Sequence, residues 1–223
     1  MAKGFKRRGR GVSLRYAARL DDGERALVAG LMEQVRDLLT PDEPVAAQRR
    51  TGDDAFDDIV AGLGDLGVEL SADSPTWPDT GQVPETARSF GERDPALERL
   101  LPAGNRADDQ VAAEYRRLTE DGLRRRKIDG LERSMASLRR AAGDAVELDG
   151  EGAVAMLVAL TDVRLVIGER LGLREDDDVE KLEEAAVGLE PAHPLAFALA
   201  VYEFLTWLQE TLAHALLPGA DQG

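Results

Sequence analysis

From Val12 to Leu20 the chain alternates between apolar and polar positions: Val12, Leu14, Tyr16, Ala18 and Leu20 are apolar, with Ser13, Arg15 and Arg19 between them. A period of two predicts a strand over 12–20. Asp21 or Asp22 then caps a helix whose apolar stripe is Leu27, Val28, Leu31, Met32, Val35, Leu38 and Leu39, ended by Pro41 and Pro44. Asp94 followed by Pro95 opens a short helix that stops near Leu101 and Pro102. Helical spacing returns over 107–141 through Val111, Tyr115, Leu118, Leu123, Ile128, Leu131, Met135 and Leu138. Within it, Thr119-Glu120-Asp121-Gly122 has the composition of a cap that would divide the segment into two helices, a single kinked helix being the alternative. Ala145–Leu148 has the makings of a second strand, and Asp149 caps a helix over about 150–171. A short helix over 179–188 and a strongly apolar one over 195–217 complete the chain.

Arg19-Leu20-Asp21 and Glu147-Leu148-Asp149 each lead from a strand into a capped helix, which pairs the two strands in a ribbon. The expected fold is mainly α: a helical bundle of about six helices with a minor two-stranded β element. The 150–171 and 195–217 helices form its central pair, with Trp207 buried against the first. Residues 1–11, basic and broken by glycine, are read as a flexible arm that holds no core residue and can be removed without loss of the fold. Residues 12–223 form a single mainly helical domain, interrupted by 41–93. That stretch is acidic and rich in Pro and Gly, with a two-turn helix at most around Phe56, Ile59 and Val60. It offers too little apolar surface to offset its ordering entropy and is expected to be largely disordered.

Charge changes this picture more than composition does. The chain has 223 residues, 43 acidic and 28 basic, for a net charge of −15. The first twenty residues carry +7 and no acid, and the remainder carries −22. A body this acidic repels nucleic acid as a whole, so any phosphate contact must be local and salt-sensitive. The absence of cysteine removes disulfides, a thiolate nucleophile and thiol redox sensing in this chain, and two histidines are too few for a His-rich metal site.

Gly62-Leu63-Gly64-Asp65-Leu66-Gly67 matches a dinucleotide-binding pattern but lacks the leading strand and following helix, so it is read as a turn. Glu175–Asp178 has consecutive acids rather than the alternating ligands of a calcium loop. No Ser–His–Asp or paired-carboxylate arrangement stands out, and no enzyme, cofactor or resident metal is expected. The N-terminus lacks the apolar run of a signal peptide, and no stretch approaches the length of a membrane span, so a cytoplasmic protein without membrane contact is expected.

Two groups of cations are candidates for nucleic-acid or partner contact: Lys3, Lys6, Arg7, Arg8 and Arg10 in the arm, and Arg124, Arg125, Arg126 and Lys127 in the helical segment. Arg164 falls within the apolar stripe of the 150–171 helix, where a guanidinium needs a partner. Glu203 or Glu210 on the last helix is expected to pair with it.

Five blocks occur in order: Phe5-Lys6-Arg7-Arg8 leading to Tyr16-Ala17-Ala18-Arg19-Leu20, Asp94–Pro102, Glu114–Glu120, Leu160–Gly172 and Tyr202–Glu210. In these blocks the chain resembles an actinobacterial family classed as a domain of unknown function, one that includes the oxidative-stress transcription regulator AosR. The likeness covers nearly the whole chain outside 41–90. It implies a regulatory protein that contacts transcription machinery, in particular a sigma factor, with weak auxiliary DNA contact. Family genes neighbour a Clp-protease adaptor and a metalloprotease of cysteine biosynthesis. The alternative implied is therefore a protein-interaction factor of Clp proteolysis or cysteine metabolism that binds no DNA. Without cysteine, stress must be sensed through a partner, or weakly through Met32, Met135 or Met156.

Overall fold

A computed structural model describes residues 2–40, 94–102, 109–175, 177–190 and 193–217, the side chains of 109–118 excepted. The readings made for 41–93, including the glycine pattern and Trp77, lie outside the described residues, as does the burial of Val111, Tyr115 and Leu118.

The described chain runs β1 (Lys3–Arg8), a 3-10 turn (Gly11–Ser13), β2 (Arg15–Arg19), α1 (Asp22–Leu39), α2 (Pro95–Leu100), α3 (Asp109–Arg139), β3 (Ala145–Leu148), α4 (Gly150–Arg170), α5 (Asp178–Ala186) and α6 (Pro194–Leu216). The fold is mainly α, six helices with one small antiparallel sheet of order β1-β2-β3. Helix α4 is the hub, packing against α1, α2, α3 and α6. Its Met156, Leu160, Val163 and Ile167, spaced at three and four residues, are all buried. They meet Val28, Met32 and Val35 of α1, Leu131, Met135 and Leu138 of α3, and Val201, Leu205, Leu208 and Leu212 of α6 in one core.

Capping decides where the helices start. Asp21 Oδ1 accepts from the Glu24 amide at 2.9 Å and Glu24 Oε2 accepts from the Asp21 amide at 2.8 Å, a reciprocal box that satisfies two otherwise orphaned donors. Asp149 Oδ1 accepts from the Gly152 amide at 2.7 Å at the start of α4, and Asp94 Oδ1 accepts from the Ala96 amide at 2.8 Å at the start of α2. Helix α2 is clamped onto the end of α4 by Arg170–Asp94 at 2.5 Å and Arg99–Glu169 at 2.8 Å. Its Ala96 and Leu100 enter the core.

Three expectations are corrected, and one pair of alternatives is decided. Residues 1–11 are not a mobile arm. Lys3–Arg8 form β1, paired antiparallel to β2 with Arg7 opposite Tyr16 and Arg8 opposite Arg15. Phe5, 4% exposed, is a core residue, so the segment cannot be removed without cost. The free edge of β1 lies against α6: the Phe5 amide donates to Thr211 Oγ1 at 3.1 Å. A Cβ on Gly4 would fall 2.5 Å from Thr211 Cγ2, so glycine is what lets strand and helix approach this closely. The turn out of β1 uses Gly9 at φ +76°, a backbone conformation that side chains disfavour.

The β element has three strands rather than two. The expected ribbon is its inner pair, with Tyr16 opposite Leu148 and Ala18 opposite Val146. The predicted strand over 12–20 is shortened, because 11–13 turn into the 3-10 segment.

Helix α3 is unbroken through Thr119–Gly122. A glycine inside a helix costs about 1 kcal/mol relative to alanine. Here the Arg124–Glu120 pair, 2.7 Å apart, spans the joint, and Arg124 also donates to the Leu39 carbonyl at the end of α1.

Trp207 is not packed inward. It is 37% exposed and stacks on Phe204 with ring centroids 6.0 Å apart. The core face of α6 is set by Leu205, Leu208 and Leu212, and Trp207, two residues on from Leu205, is turned about 200° away from it.

Candidate interaction surface

Because side chains alternate across a strand, the sheet separates its residues into two faces. Phe5, Tyr16, Ala18, Val146 and Leu148 face the helices and are buried, with half-buried Arg7 beside Tyr16 on that side. The opposite face carries Lys6 opposite Ala17 and Arg8 opposite Arg15, and a register irregularity between Lys3 and Lys6 brings Lys3 onto the same side, opposite Arg19. All five of these cations are exposed, as is Arg10 in the following turn. The only acid among the paired residues of that face is Glu147, on the far strand opposite Ala17. Arg15 donates to the Leu14 and Val12 carbonyls at 2.8 and 3.3 Å, and Arg19 lies 3.7 Å from Asp144, both side chains of that pair more than half exposed. Lys3, Lys6 and Arg8 have no ion-pair partner among the described residues. The N-terminal cations thus form a fixed basic patch rather than a tether.

The second cation group is divided. Arg125 and Arg126 are exposed on α3. Arg124 is used internally, by Glu120 and Leu39. Lys127 Nζ sits 2.5 Å from Asp162 Oδ1, in the α3–α4 packing. Asp162 is 2% exposed and its Oδ2 has no hydrogen-bond partner among the described residues. Burial pushes its carboxyl above the usual range, while the hydrogen bond and charge of Lys127 act against that rise. The sequence reading missed Asp162. The signal was available: it is the one acid between Gly152 and Gly168, a span whose other polar side chains are Thr161 and Arg164.

Arg164 is not paired with Glu203 or Glu210. Its guanidinium donates to Gln209 Oε1 at 2.7 Å and Tyr202 Oη at 3.3 Å, with Cζ 5.1 Å from the Tyr202 ring centroid. Gln209 in turn donates to Thr161 at 2.9 Å, closing a polar seam between α4 and α6. Glu203 and Glu210 each lie one residue past these partners, about 100° further round α6, and are exposed.

Among the described residues no group of three or more His, Cys, Asp or Glu is placed to hold a metal ion, and no helix is long and apolar enough to cross a membrane. The sequence profile of a family described as a domain of unknown function (DUF2017) matches residues 2–216. The chain belongs to the DUF2017 family. The matched range runs from the first strand through α6, so in this DUF2017 chain the sheet and the helices belong to one family unit. No curated protein and no solved structure matches it.

Proposed function

We propose that this DUF2017 chain is a regulatory protein that acts by holding a partner from the transcription machinery, a sigma factor in particular, with DNA contact only auxiliary. The observation that carries the reading is the basic sheet face. On a chain of net charge −15, Lys3, Lys6, Arg8, Arg15 and Arg19 are gathered on one rigid, solvent-facing surface. Local charge opposite to that of the body steers and orients a partner. The resemblance of five ordered sequence blocks to an actinobacterial oxidative-stress regulator family supports the transcriptional setting.

The way stress reaches the protein is narrowed by burial. There is no cysteine, and Met32, Met135 and Met156 are all fully buried, so an oxidant does not reach these thioethers while the protein is folded. The redox signal then enters through the partner.

Capture from source-organism lysate on the immobilised full chain, with and without peroxide, tests the reading. Recovery of a sigma factor or RNA polymerase is expected, and charge reversal at Lys6 and Arg8 should abolish it. Recovery of Clp components in their place would sink the proposal in favour of a role in proteolysis.

A further inference from the structure

The outward sheet face combines features that its own fold does not use. Arg8 stands directly opposite Arg15, and Lys3 directly opposite Arg19. Like charges facing each other across strands are destabilising. The relief on the page is partial: Arg15 leans on two turn carbonyls and Arg19 on Asp144, while Lys3, Lys6 and Arg8 stand without an ion-pair partner among the described residues. An anionic occupant would remove that repulsion.

We infer that this face is a docking site for a short acidic polypeptide segment in extended conformation. The inference rests on the reading of the face as a partner surface and specifies the partner's chemistry. Lys6 and Arg8 are two residues apart on one strand, about 6.8 Å, with the cations of β2 about 4.8 Å across. Carboxylates at alternate positions of an extended chain have the same 6.8 Å repeat, roughly. Extent argues against duplex DNA. The cations lie on two neighbouring strands, about 4.8 Å apart, with Glu147 on the third, and each strand has at most six residues. A duplex carries a phosphate charge about every 1.7 Å and would continue past the patch over an acidic body. A segment of six or so residues can be confined to the cations.

The experiment uses the full chain and two labelled probes: a six-residue peptide of alternating Glu and Ser, and a DNA duplex of about 12 base pairs, roughly one helical turn. Fluorescence anisotropy is read at low salt and near physiological salt. The peptide is expected to bind more tightly than the duplex, with affinity falling as salt rises. Lys6→Glu/Arg8→Glu should weaken peptide binding at least about tenfold. Arg125→Glu/Arg126→Glu, with the same change of charge on α3, should leave it within about twofold. The neutral pair Lys6→Gln/Arg8→Gln should fall between wild type and the reversal, and thermal melts should show every variant folded, with the sheet variants at or above the wild-type midpoint because the Arg8–Arg15 repulsion is relieved. No peptide binding, tighter binding of the duplex, or equal losses in the sheet and α3 variants would each overturn the inference. Peptide binding without capture of any transcription component would leave this inference standing and remove the proposed function.

Discussion

Replacing Lys127 by methionine perturbs the ion pair whose acid, Asp162, is the most enclosed charged partner among the ion pairs of the described residues. At 2.5 Å and an effective dielectric near 20, two unit charges attract by about 6–7 kcal/mol. Withdrawing each ion from water costs several kcal/mol, so the pair is close to neutral overall. The asymmetry lies in the exposures: Lys127 keeps 15% of its side chain in solvent and Asp162 keeps 2%. Lys127→Met therefore leaves a carboxylate with no counter-charge and no route to water, and should cost about 3–5 kcal/mol at pH 7. Asp162→Ala leaves an ammonium that can extend toward solvent, and should cost less, about 1–3 kcal/mol. The double replacement Lys127→Met/Asp162→Leu should lie within about 1 kcal/mol of wild type or above it, because neither charge is then buried.

The pH dependence gives the sharper test. A carboxyl whose folded pKa lies above its unfolded value binds protons more readily when folded, so this site's contribution to stability improves as pH falls through the folded value toward 3.8. Lys127 opposes that rise, so its removal widens the window. Urea unfolding of Lys127→Met should then show higher stability at pH 5 than at pH 7, a difference absent from the double variant. A cost below about 1 kcal/mol for Lys127→Met, or stability that drops on acidification to pH 5, would refute the burial argument.

Three further outcomes follow from the same geometry. Phe5→Ala should destabilise by about 3–5 kcal/mol, and Gly4→Ala by about 1–3 kcal/mol because its methyl meets Thr211; urea midpoints equal to wild type would restore the mobile-arm reading. Asp178, held low by the Glu175 and Arg174 amides and then by Lys181, should titrate at about 2 rather than 3.8 in carboxyl NMR. Its stabilisation of the turn leading into α5 is present above 3.8 and is lost as pH falls through about 2, so an ordinary titration would contradict the contacts to the Arg174 and Glu175 amides. In a Trp77→Phe variant the remaining indole, Trp207, should be readily quenched by acrylamide, and a protected emission would place it inside.

The helices were legible because their signals are local. Asp21 with Glu24, Asp94 with Pro95, and Asp149 each fix a start through atoms two or three residues away, and the buried stripes of α1, α4 and α6 recur every three or four residues. What sequence could not deliver depends on surfaces brought together from afar. β1 has a single large apolar residue, Phe5, on its inward side, and its outward side is cationic, so composition imitates a solvated tail. Its order comes from β2 and from Thr211, more than two hundred residues away. The same limit applies to Arg164. The periodicity of α4 placed Arg164 correctly on the face toward α6, but which residue of α6 meets it turns on one step of about 100°, which selects Tyr202 and Gln209 over Glu203 and Glu210. A guanidinium so placed is satisfied by neutral acceptors and an aromatic face, without a second buried charge to desolvate. Glu203 and Glu210 are thereby left in solvent, where they contribute to the acidic surface against which the basic sheet face stands out.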